Sequence, residues 1–541
     1  MFRRLYQTAG YSQPNGLNKE LILAVLNSTA TKREAQNYLK KYGSDKIQNH
    51  CLVMIRGLLK QDSKALSCFA VTIKRLKMLG VKPMFVLHPG QDVEEQAQLL
   101  DYHLHKEDLR AVCLSEALVR NFNGSYQSIV QYAQLKDLIP IIKPRIFDEK
   151  TCASKPTTNV PELMGQLVRQ LDCHIDKVVI ISDFGGISSG ERQDNAHVFI
   201  NLSQEFESLS DSLSKDIKVL NAKVSNNEKS SVDAMQLILD MDKLKQTYTR
   251  QHAHLEDLQI MDRVLSELPI SATGIITALS AASNLFKNNP LLHNVLTDRS
   301  LISSSLPRFK RGNQLSHAWY ELPVDNEPVV DLKDAALITT VVKKGVNIKV
   351  FDYRTLNEKN SIGFPGISSL PTPSNDKVNI TKLKAIIDQS FGRKLDIKHY
   401  LKRINGQIAA IIVIGDYEGI AILTFEGPEG AKFPYLDKFA VMPHLKGSLG
   451  ISDIMFNLMF QKFPKELVWR SRSDNVVNKW YFQRSVGVLD LSMDLGKNDA
   501  KPSIFKLFFH GDNDKEDPFC DFERLQTYSK YVRDIQPSWD T

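Results

Sequence analysis

The stretch Lys177-Val-Val-Ile-Ile-Ser-Asp183 narrows the available folds more than any other part of this chain. Val178 to Ile181 are β-branched with no polar residue alternating among them, which is the signature of a strand buried on both faces of a parallel sheet. The run ends in Asp183 and the loop Phe184-Gly-Gly-Ile187. Cys51-Leu-Val-Met-Ile55 reads as a second apolar strand, a helical stretch follows from about Ser63 to Leu79, Gly80 stops it, and Met84-Phe-Val-Leu87 starts the next strand. Strand, helix and strand in that order predict an α/β domain with a parallel sheet and flanking helices, whose ligands gather at the carboxyl ends of the strands.

At 541 residues the chain exceeds a single core. A helical stretch is expected from Leu21 to about Tyr42. The polar segment 205–233 reads as a flexible insertion, with helices expected over 234–267 and 274–286 and a connector over 325–344. A different domain begins near Gly345. There a helix over 383–391 precedes the strands Ala409–Ile414 and Gly419–Phe425, joined by the turn Gly415-Asp-Tyr-Glu418. A strand over 435–441, a glycine-containing loop, a helix over 449–460 and a strand over 467–472 complete an α+β pattern.

Composition excludes some functions. Lys and Arg total 69 against 62 Asp and Glu, too diluted an excess for a polynucleotide footprint and equally suited to small anionic substrates. The longest uncharged stretch, Leu268 to Phe286, contains Pro269 and Gly274, so a packed interior helix is expected and no membrane span. The 6 cysteines form no Cys-x-x-Cys pair, which points to free thiols in a reducing compartment. His103 and His105, like His252 and His254, are spaced for different helix faces and read as surface residues, so no metal site is expected. Met1 to Lys19 carries Arg3 and Arg4 with no acid before Glu20, as in a mitochondrial presequence or a frayed terminus.

Two segments carry chemistry. In Leu436-Asp-Lys-Phe-Ala-Val-Met-Pro-His-Leu-Lys-Gly-Ser-Leu-Gly-Ile-Ser-Asp453, small residues lead into an amphipathic helix. The amides and positive dipole of a helix start can seat a pyrophosphate, although an ordinary turn has the same composition. In Glu466-Leu-Val-Trp-Arg-Ser-Arg-Ser-Asp-Asn-Val-Val-Asn-Lys-Trp-Tyr481, strand alternation puts Arg470 and Arg472 on one face and Trp469 and Ser471 on the other. Two adjacent guanidinium groups suit a carboxylate ligand, or else are two edge-strand arginines in solvent or paired with surface acids.

These segments, with Trp480-Tyr-Phe482, resemble the acetyltransferase domain of the N-acetylglutamate synthases of vertebrate and fungal type, a GNAT-type fold. Val86-Leu-His-Pro-Gly90, Ile181-Ser-Asp-Phe-Gly-Gly186 and His293-Asn-Val-Leu-Thr-Asp298 resemble the amino acid kinase-like domain that precedes it in that family. The resemblance implies a presequence over 1–19, a regulatory kinase-like domain over 20–344 and an acetyltransferase domain over 345–541. It implies transfer of an acetyl group from acetyl-CoA to L-glutamate in the mitochondrial matrix, inhibition by L-arginine, a homo-oligomer and contact with acetylglutamate kinase. No permanently bound cofactor is implied. Leu445, Lys446, Gly447, Ser448, Leu449, Gly450, Ile451 and Ser452 would hold the pyrophosphate, and Phe439, Ala440 and Val441 the pantetheine arm. Lys438, Arg470 and Arg472 would bind glutamate carboxylates. Asn475, Asn478 and Tyr481 would line the reacting centre, with Tyr481 as general acid, unless it is only a core aromatic, and Asn475 or a water as proton relay. Gly274 and Asp298 are candidates for arginine. His444 and Leu449 depart from the usual loop pattern. Kinases of this fold carry Lys-x-Gly-Gly and Gly-Gly-Gly segments where this chain has Ile55-Arg-Gly-Leu58 and His88-Pro-Gly90, so phosphoryl transfer is expected to be lost. A non-catalytic partner of the kinase and a working kinase are the rival readings.

Overall fold

The computed structural model describes residues 50–90, 92–119, 137–148, 152–155, 157, 159–171, 173–189, 196–227, 234–285, 289–298, 338–352, 367–368, 378–404, 406–445, 451–494, 501–511 and 522–540. The 1–19 segment, the 21–42 helix and residues 446–450 lie outside them. The described residues up to 298, together with 338–344, make one compact unit, and those from 345 onward make another.

In the first unit the elements are β1 (His50–Ile55), α1 (Ser63–Met78), β2 (Lys82–Leu87), α2 (Val93–Lys106), β3 (Ala111–Val119), β4 (Ile139–Asp148), β5 (Ala153–Lys155), α3 (Val160–Gln170), β6 (Ile175–Ile181), β7 (Phe199–Asn201), α4 (Leu202–Asn227), α5 (Ala234–Glu267), β8 (Thr273–Thr277), α6 (Leu279–Ala282), α7 (Pro290–Thr297) and β9 (Thr340–Lys343). The sheet runs β3-β4-β2-β1-β6-β8-β9-β7, with β5 beside β4. From β3 to β8 neighbouring strands are parallel, and β9 runs antiparallel to β8.

The apolar run of β6 is explained by what lies on each side. Val178 and Ile180 pack with Leu163 and Leu167 of α3 and Leu258 and Met261 of α5. Val179 and Ile181 pack with Phe69 and Ile73 of α1 and Leu100 of α2 on the other face. A strand between two helical layers has no wet face, so alternation disappears.

Two expectations fail here. Residues from Gly274 form β8, because Thr273, Ile275, Ile276 and Thr277 suit a pleated strand and register beside Lys177 to Ile181. Within the supposed insertion, 202–227 is the helix α4: Leu202, Phe206, Leu209 and Leu213 recur at helical spacing and lie against the same core as α5. The polarity belongs to its outer face, and 228–233 lies outside the described residues.

In the second unit the elements are β10 (Ile348–Asp352), β11 (Ile367–Ser368), β12 (Val378–Asn379), α8 (Ile380–Phe391), α9 (Ile397–Ile404), β13 (Ile408–Ile414), β14 (Gly419–Glu426), β15 (Phe433–Val441), α10 (Ile451–Lys462), β16 (Leu467–Arg472), α11 (Asn478–Arg484), β17 (Gly487–Asp490), β18 (Phe505–His510) and α12 (Phe522–Asp534). The sheet order is β10-β13-β14-β15-β16-β18-β17. Its strands are antiparallel except β15 and β16. α8 begins on the side chain of Asn379, which accepts from the Lys382 amide, and ends at Gly392 with φ 65°.

Candidate active site

The site is built where β15 and β16 part. Their parallel pairing is limited to Tyr435 opposite Val468 and Leu436 opposite Trp469. One residue later Asp437 bulges out of the β14 ladder, since Leu423 faces Leu436 and Ile422 faces Lys438. Beyond the bulge, the Met442 amide donates to the Glu418 carbonyl. Strand alternation then turns the backbone of Ala440 and Lys438 toward β14, and that of Phe439 and Val441 toward the opening. An opening edge of this kind offers amides and carbonyls to an extended ligand, as in strand addition. The Val441 amide is also 3.4 Å from the Ser390 hydroxyl.

Side chains sort by face. Phe439 packs on Phe456 of α10, with ring centroids 5.0 Å apart, and on Trp480 of α11, at 6.3 Å. Tyr481 completes this aromatic group against Trp469, Phe508 and Phe456. It is 8% exposed, and burial raises its phenol above the usual tyrosine range. Asn475 sits in the turn between β16 and α11, and Asn478 is the first residue of α11. The Asn475 amide donates to the Ser471 hydroxyl at 2.9 Å, and its oxygen accepts from the Val477 amide. Asn478 donates to the carbonyls of Arg472 and Ser473, while its buried Oδ1 has no protein partner.

The cations occupy the opposite face. Lys438 donates to Asp437 at 2.9 Å, and its ammonium lies 4.8 Å from the ring centroid of Tyr400 and 5.7 Å from that of Trp539. Asp437 also accepts from Tyr400 at 2.8 Å and from Arg403. Burial alone would raise the Asp437 carboxyl, yet Lys438, Arg403 and the hydrogen bonds from Lys438 and Tyr400 hold it at about 2. Asp437, Tyr400 and Trp539 escaped sequence reasoning. The available signal was a carboxylate within the otherwise apolar Tyr435-Leu-Asp-Lys-Phe439 strand, which has to find partners.

Arg470 and Arg472 share this face as alternation requires, but they differ in use. Arg470 donates to the carbonyls of Val532, Arg533 and Ile535, and its guanidinium lies 4.4 Å from the Phe505 ring centroid. It therefore caps the carboxyl end of α12, which corrects the expectation that Arg470 binds a glutamate carboxylate beside Arg472. Arg470→Ala is expected to lower stability by about 2 kcal/mol, the worth of hydrogen bonds from a charged donor, read as a lower urea midpoint. Arg472 is 44% exposed and meets Asp474, its local partner, at 2.9 Å. It is the more available cation.

Leu445 precedes residues 446–450, and the buried Ile451 opens α10 with Ser452 as its second residue. Lys446, Gly447, Ser448, Leu449 and Gly450 fall outside the described residues. In the first unit, Gly274 faces α5 so closely that a Cβ would come within 2.5 Å of the Met261 sulfur. The Asp298 carboxylate takes the Lys177 ammonium at 2.5 Å and the Thr273 hydroxyl at 2.8 Å. Both arginine candidates are thus occupied by internal packing. His103 and His254, expected at the surface, are buried at 2% and 1% exposure. Among the described residues, no group of three His, Cys, Asp or Glu could hold a metal, and no helix is long and apolar enough to cross a membrane.

The mixed sheet with one parted parallel pair is the class of fold used by N-acetyltransferases. Residues 370–538 match the family described as the N-acetyltransferase of N-acetylglutamate synthase. The mitochondrial amino-acid acetyltransferase of Kluyveromyces lactis is 50% identical over 538 residues, 98% of this chain and 97% of that one. The enzyme of the same description from Saccharomyces cerevisiae S288c is 50% identical over 569 residues, 100% and 99% of the two chains. The chain belongs to the mitochondrial amino-acid acetyltransferases. A crystal structure of N-acetylglutamate synthase from Neisseria gonorrhoeae, complexed with coenzyme A and L-arginine, aligns over 89% of this chain and 98% of that one at 11% identity and a TM-score of 0.35.

Proposed function

We propose that this chain moves the acetyl group of acetyl-CoA to the amino group of L-glutamate, yielding N-acetyl-L-glutamate and coenzyme A. The reaction takes place in the mitochondrial matrix as the first step of arginine biosynthesis, with L-arginine as feedback inhibitor. The observation that carries this reading is the parted β15 and β16, with cations on one face and Tyr481 with two asparagines on the other.

The thioester arm lies along the edge of Phe439 and Val441, and its pyrophosphate rests where Leu445 leads to Ile451 and Ser452. Lys438 and Arg472 hold glutamate, while Arg470 keeps α12 in place behind them. The neutral amine attacks the thioester carbon, a strand amide at the opening takes the developing oxyanion, and the Tyr481 phenol donates to the leaving sulfur. Asn475 or a water relays the amine proton toward solvent. Positioning supplies most of the acceleration.

In the first unit, Arg56 stands at the end of β1, where phosphate-binding glycines would be needed. Its guanidinium is held by Glu256 at 2.6 Å and Asp257 at 2.5 Å. An arginine already neutralised by two carboxylates is poorly placed to cradle a phosphate, which favours a regulatory domain over a working kinase.

Release of free thiol from acetyl-CoA, measured with and without L-glutamate, tests the activity. Glutamate-dependent release is expected. In Arg472→Ala the KM for glutamate should rise roughly tenfold to hundredfold, as for a lost charged hydrogen bond, at unchanged melting temperature. Thiol release indifferent to glutamate would refute the proposal. Tight binding to acetylglutamate kinase without thiol release would favour the non-catalytic partner, and ATP-dependent phosphorylation of acetylglutamate would favour the kinase.

A further inference from the structure

The segment that follows α12 folds back onto the loop between α8 and α9. The Asp396 amide donates to the Ser538 carbonyl at 3.0 Å, and the Asp540 amide to the Lys394 carbonyl at 2.9 Å. Leu395 and Trp539 form an antiparallel bridge between these two bonds. The buried Ser538 adds a hydroxyl contact of 3.0 Å with His399 Nδ1. At its other end Arg470 holds the carbonyls of Val532, Arg533 and Ile535. A short segment tied at both ends presents its side chains at fixed positions, as a supporting wall requires.

Trp539 is the side chain that this anchoring places. Its ring lies 5.2 Å from that of Phe391 and packs on the cluster containing Leu383, Ile387 and Tyr400. The Lys438 ammonium lies 5.7 Å from the Trp539 centroid and 4.8 Å from that of Tyr400. Tyr400 is buried and Trp539 half-buried, so the first ring backs the cation from the core and the second from the solvent side.

An ammonium carries three N–H bonds. Lys438 gives one to Asp437 at 2.9 Å, and the described residues offer the others only ring faces. Its side chain is 14% exposed. A cation kept short of water in this way attracts an entering carboxylate more strongly than a solvated one. Any apolar side chain could fill the space that Trp539 takes, but only an aromatic face can hold the charge.

We propose that Trp539 is a positioning residue for the amino-acid substrate: its ring face, fixed by the segment that follows α12, holds the Lys438 ammonium where the glutamate carboxylate enters. The inference rests on the proposed function, in which Lys438 binds glutamate.

Trp539→Leu keeps apolar bulk and removes the ring face, whereas Trp539→Phe keeps a weaker one. In glutamate-dependent thiol release the KM for L-glutamate should rise in the order Trp, Phe, Leu, reaching roughly threefold to thirtyfold at leucine, the span of a cation–π contact. The kcat and the KM for acetyl-CoA should hold. In Lys438→Gln the same leucine substitution should add nothing to the KM, because the cation it acts through is gone. Where Trp539→Leu does not fold, Trp539→Phe with and without Lys438→Gln carries the test. Thiol release from the parent that ignores glutamate would refute the proposed function itself. Glutamate-dependent release from the parent, with a KM that folded Trp539 variants leave unaltered or raise equally without Lys438, would overturn this inference alone and leave Trp539 a packing residue.

Discussion

Tyr481→Phe is expected to lower kcat by roughly a hundredfold to ten-thousandfold, the usual contribution of a positioned proton donor. The ring keeps its packing against Trp469, Phe456 and Phe508, so the melting temperature and both KM values should hold. Only the hydroxyl is removed. Because burial raises this phenol above the ordinary tyrosine pKa, it stays protonated throughout the neutral range, and no loss of kcat from Tyr481 should appear below pH 10. Steady-state thiol release across a pH series measures both quantities. A variant with unaltered kcat would reduce Tyr481 to a packing residue.

Asp437→Ala is expected to destabilise the second unit by about 3–5 kcal/mol, the cost of leaving buried cations without their counter-charge. Arg403 retains Glu426 at 3.4 Å, whereas Lys438 loses the carboxylate that anchors it between Tyr400 and Trp539. Urea unfolding at neutral pH reads the loss. The same carboxylate gives a signed pH dependence. Its folded pKa, about 2, lies below the ordinary value of 3.8, so its contribution is complete above pH 4 and vanishes as the pH falls toward 2. In Asp437→Ala that part of the acid transition should flatten. An alanine variant as stable as the parent would show that Lys438 and Arg403 are solvated rather than held.

Local signals were enough for much of the architecture. The β6 run needed no partner to declare itself, since four consecutive branched apolar residues suit only a strand covered on both sides. The hairpin of β13 and β14 was equally local: its turn places Gly415 at φ 59° and Tyr417 at φ 65°, between two apolar runs. Where one face was wet, the signal weakened. The helix α4 passed for a flexible insertion because most of its side chains meet solvent, and the four apolar positions that anchor it are spread over three turns. The strand β8 passed for a helix because Gly274 and its apolar neighbours carry no period, and only the register beside β6 settles the choice.

The site divides in the same way. Residue types and alternation alone placed Arg470 and Arg472 on one face of a strand, opposite Trp469 and Ser471, because the geometry of an extended chain depends on nothing beyond nearest neighbours. Which of the two arginines is available could not follow from spacing. Arg470 is claimed by carbonyls more than sixty residues away, at the end of α12, and Lys438 is steadied by Tyr400 and Trp539 from distant segments. Periodicity and branching are written within a few residues of chain, whereas the partner of a charge is chosen by whatever folding brings alongside it. The sequence by itself therefore determined the strands, their faces and the chemistry on offer, and only the tertiary structure decided which of those groups were left to meet a substrate.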